Sequence, residues 1–580
     1  GSSDARLVTA AARALRLLFQ SSKAKTLRPL SDEAIQRLVN LLARDRDGNG
    51  DEDDSNGDEL TRGVAASILA KCSEIHSQQN KIHAFGGLAA AVRLLDSKLI
   101  RVQESGMECV AAMTHDNKDL ALMVGGDPGA VSKLLKLSKT GKPHAKLLAC
   151  RCITNISTQS NSDAEADKLR MHLLPIVIKL LEQLADAHVP HVLARLLAGK
   201  PELQKIAYDS NAIAQLTTWL QRAHSSGGAN ATVPLPPQQQ QEEGYLKEGL
   251  LTAIGTISLN LEDARRAVIE AQGIATVVEC LRDLGDGVRA AACLCAKSLS
   301  RSRKAIKSSL FEAKIDRPLL GLLSDPCPAV QQRASATLCN LVLNFGPMKE
   351  SILAAGGVRE LALLSKSDDH VLRLHSAWAI KNMLYKADRN LRERVMEELT
   401  WPHLFALLND SEPGVQIQAV TIVRNLVFGK EADIEPVVEY KNGAVLATLE
   451  RILGPASGSS AEMKQHAVYA VSNIAAGSEK HKERIMESAV LNSILQCLRE
   501  RQCSELRVAA IWVIINLTWQ EESSDNEDGS WPLVKSRIDR LRQLGFEAQL
   551  ESMKEDTSLN VKDRVMGALK SMRRYDELNE

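Results

Sequence analysis

Three residues in the stretch DHVLRLHSAWAIKNMLYK, 369–386, carry side chains suited to gripping an extended peptide. Trp378, Asn382 and Tyr385 stand at i, i+4 and i+7, so a helix over 369–386 places an indole, a carboxamide and a phenol on one face. The two rings offer apolar area with a polar edge. The amide can donate to a backbone carbonyl and accept from a backbone N–H of a guest chain. This is recognition chemistry, with no bond-making group among the three.

The element that must position them recurs. Asn340 in SATLCNLVLN, Asn382 in AWAIKNMLY, Asn425 in VTIVRNLVFG, Asn473 in AVYAVSNIAAG and Asn516 in IWVIINLTW follow one another at 42, 43, 48 and 43 residues. Going backwards, Ser298 and Thr256 keep the 42-residue step with the polar residue changed, and Asn155 and Thr114 belong to the same series. Upstream of the Asn helix stands a small-residue turn and an apolar helix, as in GGLAAAVRLL (86–95), GGVRELALL (356–364) and NGAVLATLERIL (442–453). A period near 42 with about three helices per unit falls in the armadillo/HEAT range. The expectation is an all-α solenoid, a right-handed superhelix of about twelve units whose irregular first and last members act as caps.

Four inserts interrupt the period: the acidic run 45–60, the Gly/Pro/Gln-rich run 223–245, residues 454–461 and the acidic run 521–530. All four are poor in apolar residues and read as loops. The second divides the chain into N-terminal repeats, 1–245, and C-terminal repeats, 246–580. In a superhelix of such units the third helices line the concave side. Asn340, Asn382, Asn425, Asn473 and Asn516 then form a row of amides, with Trp378, Tyr385, Tyr469 and Trp512 as apolar anchors. A neutral hydrogen bond nets only about 0.5–1.5 kcal/mol, and an aromatic seated in a dry pocket about 2 kcal/mol or more. The rings therefore decide where a guest sits. The plainer reading of each position is structural: an amide satisfying neighbouring backbone, a ring packed between repeats.

Catalysis and cofactors find no support. There is no G-x-S-x-G, H-E-x-x-H or P-loop. His83, His115, His375 and His466 lack partners at ligand spacing and read as surface or structural histidines. The eleven cysteines form no paired C-x-x-C, so neither a zinc site nor a disulfide framework is expected, and reduced buried thiols are. Asp45 to Asp53 matches the opening of a calcium loop, but Asn56 stands where the bidentate Glu belongs, and a solvated acidic loop is the expectation. The sequons at Asn155, Asn230 and Asn516 carry no weight in a chain that reads as cytosolic. Lys+Arg and Asp+Glu both number 72, which speaks against a nucleic-acid or anionic-membrane binder. No apolar run reaches the roughly 18 residues that span a bilayer. The first residues, Gly1-Ser2-Ser3, read as a cloning remnant, so a missing targeting signal decides nothing.

The W-x-x-x-N helices resemble armadillo repeats of the importin-α and β-catenin type. Trp fills that position only twice, with Ala336 and Thr421 in other units. The runs SLSRSRKAIKSSLFEAKIDRPLLGLL, LCNLVLNFGPMKESILAAGGVREL, WAIKNMLY, LFALLNDSEPGVQIQAVTIVRNLV and WVIINLTWQEESS resemble the armadillo repeat-containing protein 8 family, most clearly from about residue 246 to 580. That resemblance implies a non-catalytic scaffold of the GID/CTLH ubiquitin ligase, cytoplasmic and nuclear, without a cofactor or small-molecule ligand. It implies LisH-CTLH and SPRY subunits as partners, and a degron receptor whose C-terminal tail lies in the concave groove of the C-terminal half. Trp378 and Tyr385 match the aromatic pair that holds the tail, Asn382 lies between them, and Thr421 and Asn425 continue the groove one repeat later. Asn340, Tyr469, Asn473, Trp512 and Asn516 extend it. The alternative is a nuclear-transport adaptor of importin-α type, which needs an acidic lining for basic peptides.

Overall fold

A computed structural model describes residues 29–43, 52–227, 236–301, 304–429, 431–519 and 530–573. Every regular element among them is helical. The chain forms two compact units, 1–315 and 316–580.

Each unit is a stack of helices in the order the period predicts. The Asn-type helices of the first unit are α1 (Glu52–Cys72), α2 (Ile100–Met113), α3 (Pro143–Gln159), α4 (His188–Leu197), α5 (Pro237–Ser258) and α6 (Asp286–Leu299). Those of the second are α7 (Pro328–Leu341), α8 (His370–Leu384), α9 (Pro413–Leu426), α10 (Ala461–Ala475), α11 (Ser504–Thr518) and α12 (Leu559–Arg573). Within each unit, every one of these helices packs on the next. The core is built from small and branched residues at these contacts, such as Ala377, Ala379, Ile380 and Met383 of α8 against Ala419, Val420, Ile422 and Val423 of α9.

Local chemistry sets the boundaries. Asp369 caps α8 by accepting from the Val371 N–H at 2.8 Å, and Ser460 caps α10 through the Met463 N–H. Proline opens α3, α5, α7 and α9, where its missing N–H costs nothing. In the Gly356-Gly357 pair the two glycines do different work. Gly356 takes φ +75° at the turn, which a side chain disfavours. At Gly357 a Cβ would stand 2.6 Å from Ile352 Cγ2, so the chain there approaches its neighbour too closely for any larger residue.

The inserts fare differently from one another. Residues 454–460 are a loop before α10. Residues 52–60 are the first turns of α1, and 237–245 the first turns of α5, so neither is loop. A Gln-rich run has fair helix propensity, and the α5 start is pinned by Tyr245, stacked on His191 at 4.0 Å. The boundary expected at 245/246 consequently falls inside α5, and the compact units divide at Ile315/Asp316. Residues 45–51, which hold most of the calcium-loop match, 228–235 and 521–529 lie outside the described residues.

None of the eleven cysteines forms a disulfide, and nine are buried. Burial pushes Cys72 and Cys150 up to about 12, the wrong direction for a nucleophile. No described helix is long and apolar enough to cross a membrane.

Candidate functional site

The asparagine row has a structural purpose. The Asn382 amide donates to the Cys339 carbonyl at 2.8 Å, Asn425 to Lys381 at 3.0 Å, Asn473 to Arg424 at 3.1 Å and Asn516 to Ser472 at 2.9 Å. Each amide thus clamps the residue just before the Asn of the preceding repeat. In the first unit Asn155 also reaches the preceding repeat, but donates to the Ala111 carbonyl at 2.9 Å, three residues before Thr114, and to the Thr114 hydroxyl at 3.1 Å. A shorter hydroxyl cannot reach so far. Thr114, Thr256 and Ser298, at the ladder position, bond back onto carbonyls of their own helices, four residues earlier, as does Thr421, which stands at the position of Trp378. Asn340 is half-buried on α7.

A second device fixes the carboxyl ends of these helices. Lys349 donates to the carbonyls of Met383 at 3.0 Å and Tyr385 at 2.7 Å. Arg392 donates to Phe428, and Lys482 to Trp519 at 3.2 Å. Cations at helix carboxyl ends meet the orphan carbonyls and the negative end of the dipole. Burial lowers Lys349 to about 8.

α8 ends at Leu384 with Tyr385 as its cap. The Tyr385 N–H still donates to the Lys381 carbonyl at 3.1 Å and its φ is −64°, so its Cβ leaves along the helical path, while ψ 118° and Lys386 at φ +52° turn the chain away after it. The Lys349 ammonium holds the Tyr385 carbonyl at that turn. Trp378 is 40% exposed while Asn382 is buried, so the indole stands clear of the core that its neighbours join.

The other anchors are covered. The Arg424 guanidinium lies 4.7 Å over the Tyr469 ring, and Arg564 of α12 lies 4.6 Å over Trp512. Trp378 has Lys381 Nζ at 5.1 Å, and Tyr385 has Lys386 Nζ at 5.6 Å. Arg424 also hydrogen-bonds His466 Nδ1 at 3.2 Å. Burial, then Arg424 and Lys381, hold His466 down to about 4, so this ring is a neutral acceptor at physiological pH. Burial lowers both Lys381 and Arg424 as well. The face across α8, α9 and α10 is thus aromatic and cationic. Sequence reasoning missed the cations, although the pairs Lys381-Asn382 and Arg424-Asn425 were there to be read. It also missed a row of exposed apolar residues just past the helix ends: Leu343, Phe428 (55% exposed) and Trp519 (61%).

The remaining histidines are accounted for. His375 Nδ1 lies 3.1 Å from the Ser335 hydroxyl, and His115 lies 2.8 Å from Arg195 and 3.3 Å from Asp116. His83 is half-buried. No group among the described residues has metal-holding geometry. In the first unit His188 Nδ1 meets the Tyr245 hydroxyl at 3.1 Å, and its backbone N–H meets Asp186. Burial, followed by Arg151, His191, His144 and His115, pushes His188 down to about 3. The unfolded chain takes up this proton near pH 6.5 and the folded chain refuses it. Stability therefore falls as pH drops below about 6.5. His191 and His115, also lowered mainly by burial, act in the same direction. A His188→Gln chain is expected to lose less melting temperature than wild type between pH 7 and 5 in parallel thermal scans. Equal losses would remove His188 as the source.

No family model matches the chain. Over 578 residues it is 26% identical to armadillo repeat-containing protein 8 of Danio rerio, covering 98% of this chain and 82% of that protein. Over 502 residues it is 23% identical to GID complex subunit 5 of Schizosaccharomyces pombe, covering 76% of this chain and 63% of that protein. The crystal structure of an engineered protein, 18% identical, superposes with a TM-score of 0.50 over 85% of this chain and all of the other. That likeness bears on the fold alone.

Proposed function

Since the chain belongs to the armadillo repeat-containing protein 8 family, we propose that it is a non-catalytic scaffold of a GID/CTLH-type ubiquitin ligase. In this reading it joins the LisH-CTLH and SPRY subunits to a degron receptor, in cytoplasm and nucleus, and grips the receptor's C-terminal tail along α8 and α9. The chain-long similarity to proteins that include a GID complex subunit supports the scaffold role. For the grip, the carrying observation is Trp378, two-fifths exposed on a helix whose neighbouring residues are buried, with Tyr385 seven residues on at the capped end of the same helix. An exposed indole on a rigid helix is the kind of anchor that concentrates binding energy.

The import alternative gains nothing from the site. A basic guest would meet Lys381 and Arg424, like charges that weaken binding. A labelled poly-lysine reporter peptide is expected to show no saturable binding in fluorescence anisotropy at low salt. A native pull-down from a matched cell extract is expected to recover LisH-CTLH subunits. Strong, salt-sensitive reporter binding together with recovery of karyopherins would overturn the ligase reading.

A further inference from the structure

In the second unit, the well-buried arginines that lie off this face have carboxylates. Arg373 meets Asp410 at 2.8 Å, Arg392 meets Asp433 at 3.1 Å, Arg507 meets Asp556 at 2.8 Å, and Arg537 meets Glu479. Lys381 and Arg424 depart from this pattern. Both are half-buried, and neither has a carboxylate oxygen within 4.0 Å among the described residues. Glu462 is the one carboxylate whose charge Lys381 feels, from beyond that distance. Removing a cation from water without a counter-ion is costly, and here it happens to two cations on successive helices.

Their backbones are also held. The Lys381 carbonyl is clamped by Asn425 and the Arg424 carbonyl by Asn473. The Arg424 guanidinium is fixed in plane by the Tyr469 ring below it and by the neutral His466 acceptor beside it. That leaves a preformed donor fork whose positive charge is felt at the Lys381 ammonium, a pair of cations suited to one carboxylate.

The covering of the rings says which end of a guest arrives there. Trp378 is 40% exposed, with Lys381 of its own helix 5.1 Å over the ring. Tyr469 and Trp512 are half-buried, each under an arginine from another helix, Arg424 and Arg564. A guest with apolar side chains finds its most accessible ring at α8, and its run of contacts stops where the two cations stand. We propose that Lys381 and Arg424 bind the free C-terminal carboxylate of an extended guest tail whose final apolar side chain rests on Trp378. This rests on the tail-gripping reading above and adds the chemistry of the tail's last atoms.

The test uses the full chain and two display libraries of random heptapeptides, one ending in a free carboxylate and one continued into a carrier protein. Binders are expected from the free-ended library alone. Made as labelled synthetic peptides, they should weaken about tenfold or more when the terminal acid is changed to a carboxamide, the scale of a lost charge-assisted pair. The Lys381→Met/Arg424→Gln chain should bind acid and amide alike, and Arg424→Lys should keep part of the preference. Equal binding of acid and amide by the wild-type chain overturns the carboxylate clamp, and so does an absence of binders from both libraries. Binders from the continued library carrying an internal Asp or Glu would assign the cations to a side-chain carboxylate instead, and would also overturn it. Binding that depends on Trp378 but ignores Lys381 and Arg424 sinks the clamp and leaves the tail reading standing. Binding indifferent to Trp378 sinks the tail reading itself. Unchanged helix content and melting temperature of the variants separate these outcomes from misfolding.

Discussion

A chain carrying Trp378→Ala and Tyr385→Ala is expected to keep its fold and its scaffold partners, and to lose the degron receptor. Trp378 is too exposed for its removal to open a core cavity. Tyr385 lies past the end of α8, and the Lys349 cap holds its carbonyl, not its ring. Each ring at the centre of an interface is worth about 2 kcal/mol or more. The two are close enough for their effects to overlap, so the combined loss is set at roughly two to three orders of magnitude in affinity. A native pull-down reads this directly. Both chains should recover LisH-CTLH subunits, and only wild type the receptor. If the double variant retains the receptor, the tail lies elsewhere on the repeats. If it loses every partner, the substitutions have disturbed the scaffold, and a melting curve will show it.

The second large effect is on stability. Asn382→Ala takes the donor from the Cys339 carbonyl and leaves that group without its partner between two packed helices. An orphaned buried carbonyl costs about 1–3 kcal/mol. Because each repeat leans only on its neighbours, the damage should be local, and a single global unfolding energy would blur it. Amide hydrogen exchange resolves it: protection should fall across α7, α8 and α9 and stay unchanged in α12. Asn425→Ala should do so more weakly one repeat later, because the Lys381 carbonyl that loses the amide keeps the Tyr385 N–H. That variant should also blunt the preference for a terminal carboxylate, since the clamp holds the backbone from which Lys381 projects. Unchanged exchange accompanied by weaker guest binding would show the reverse, that the amides serve the guest and not the stack.

The amide row shows how far one-dimensional reading reached. The 42-residue recurrence located Asn382, Asn425, Asn473 and Asn516 without ambiguity, and both of their readings, guest contact and backbone satisfaction, were visible. Only the observed partners decide that each amide has one N–H engaged by the preceding repeat. The row of anchors was legible in the same way, but not its inequality. Tyr469 and Trp512 share the sequence position of Trp378 and lie under arginines from neighbouring helices, a relation between residues 45 to 52 positions apart that no local pattern carries.

Some boundaries went astray for a physical reason. Low apolar content marks a segment that cannot bury itself, yet a segment can still be helical when it continues a helix that is buried. Residues 52–60 and 237–245 do so, as the leading turns of α1 and α5.

Taken by itself, the sequence determined the helical class, the period, the helices that bear the polar ladder and the absence of recognisable catalytic motifs, because periodicity and side-chain chemistry are properties of the chain in one dimension. The tertiary structure decided which carbonyl each amide holds, that Lys349 closes the carboxyl end of α8, and that Lys381 and Arg424 stand on successive helices without a counter-ion. Those are facts of burial and of distance between repeats, and they exist only once helices some 42 residues apart are packed side by side.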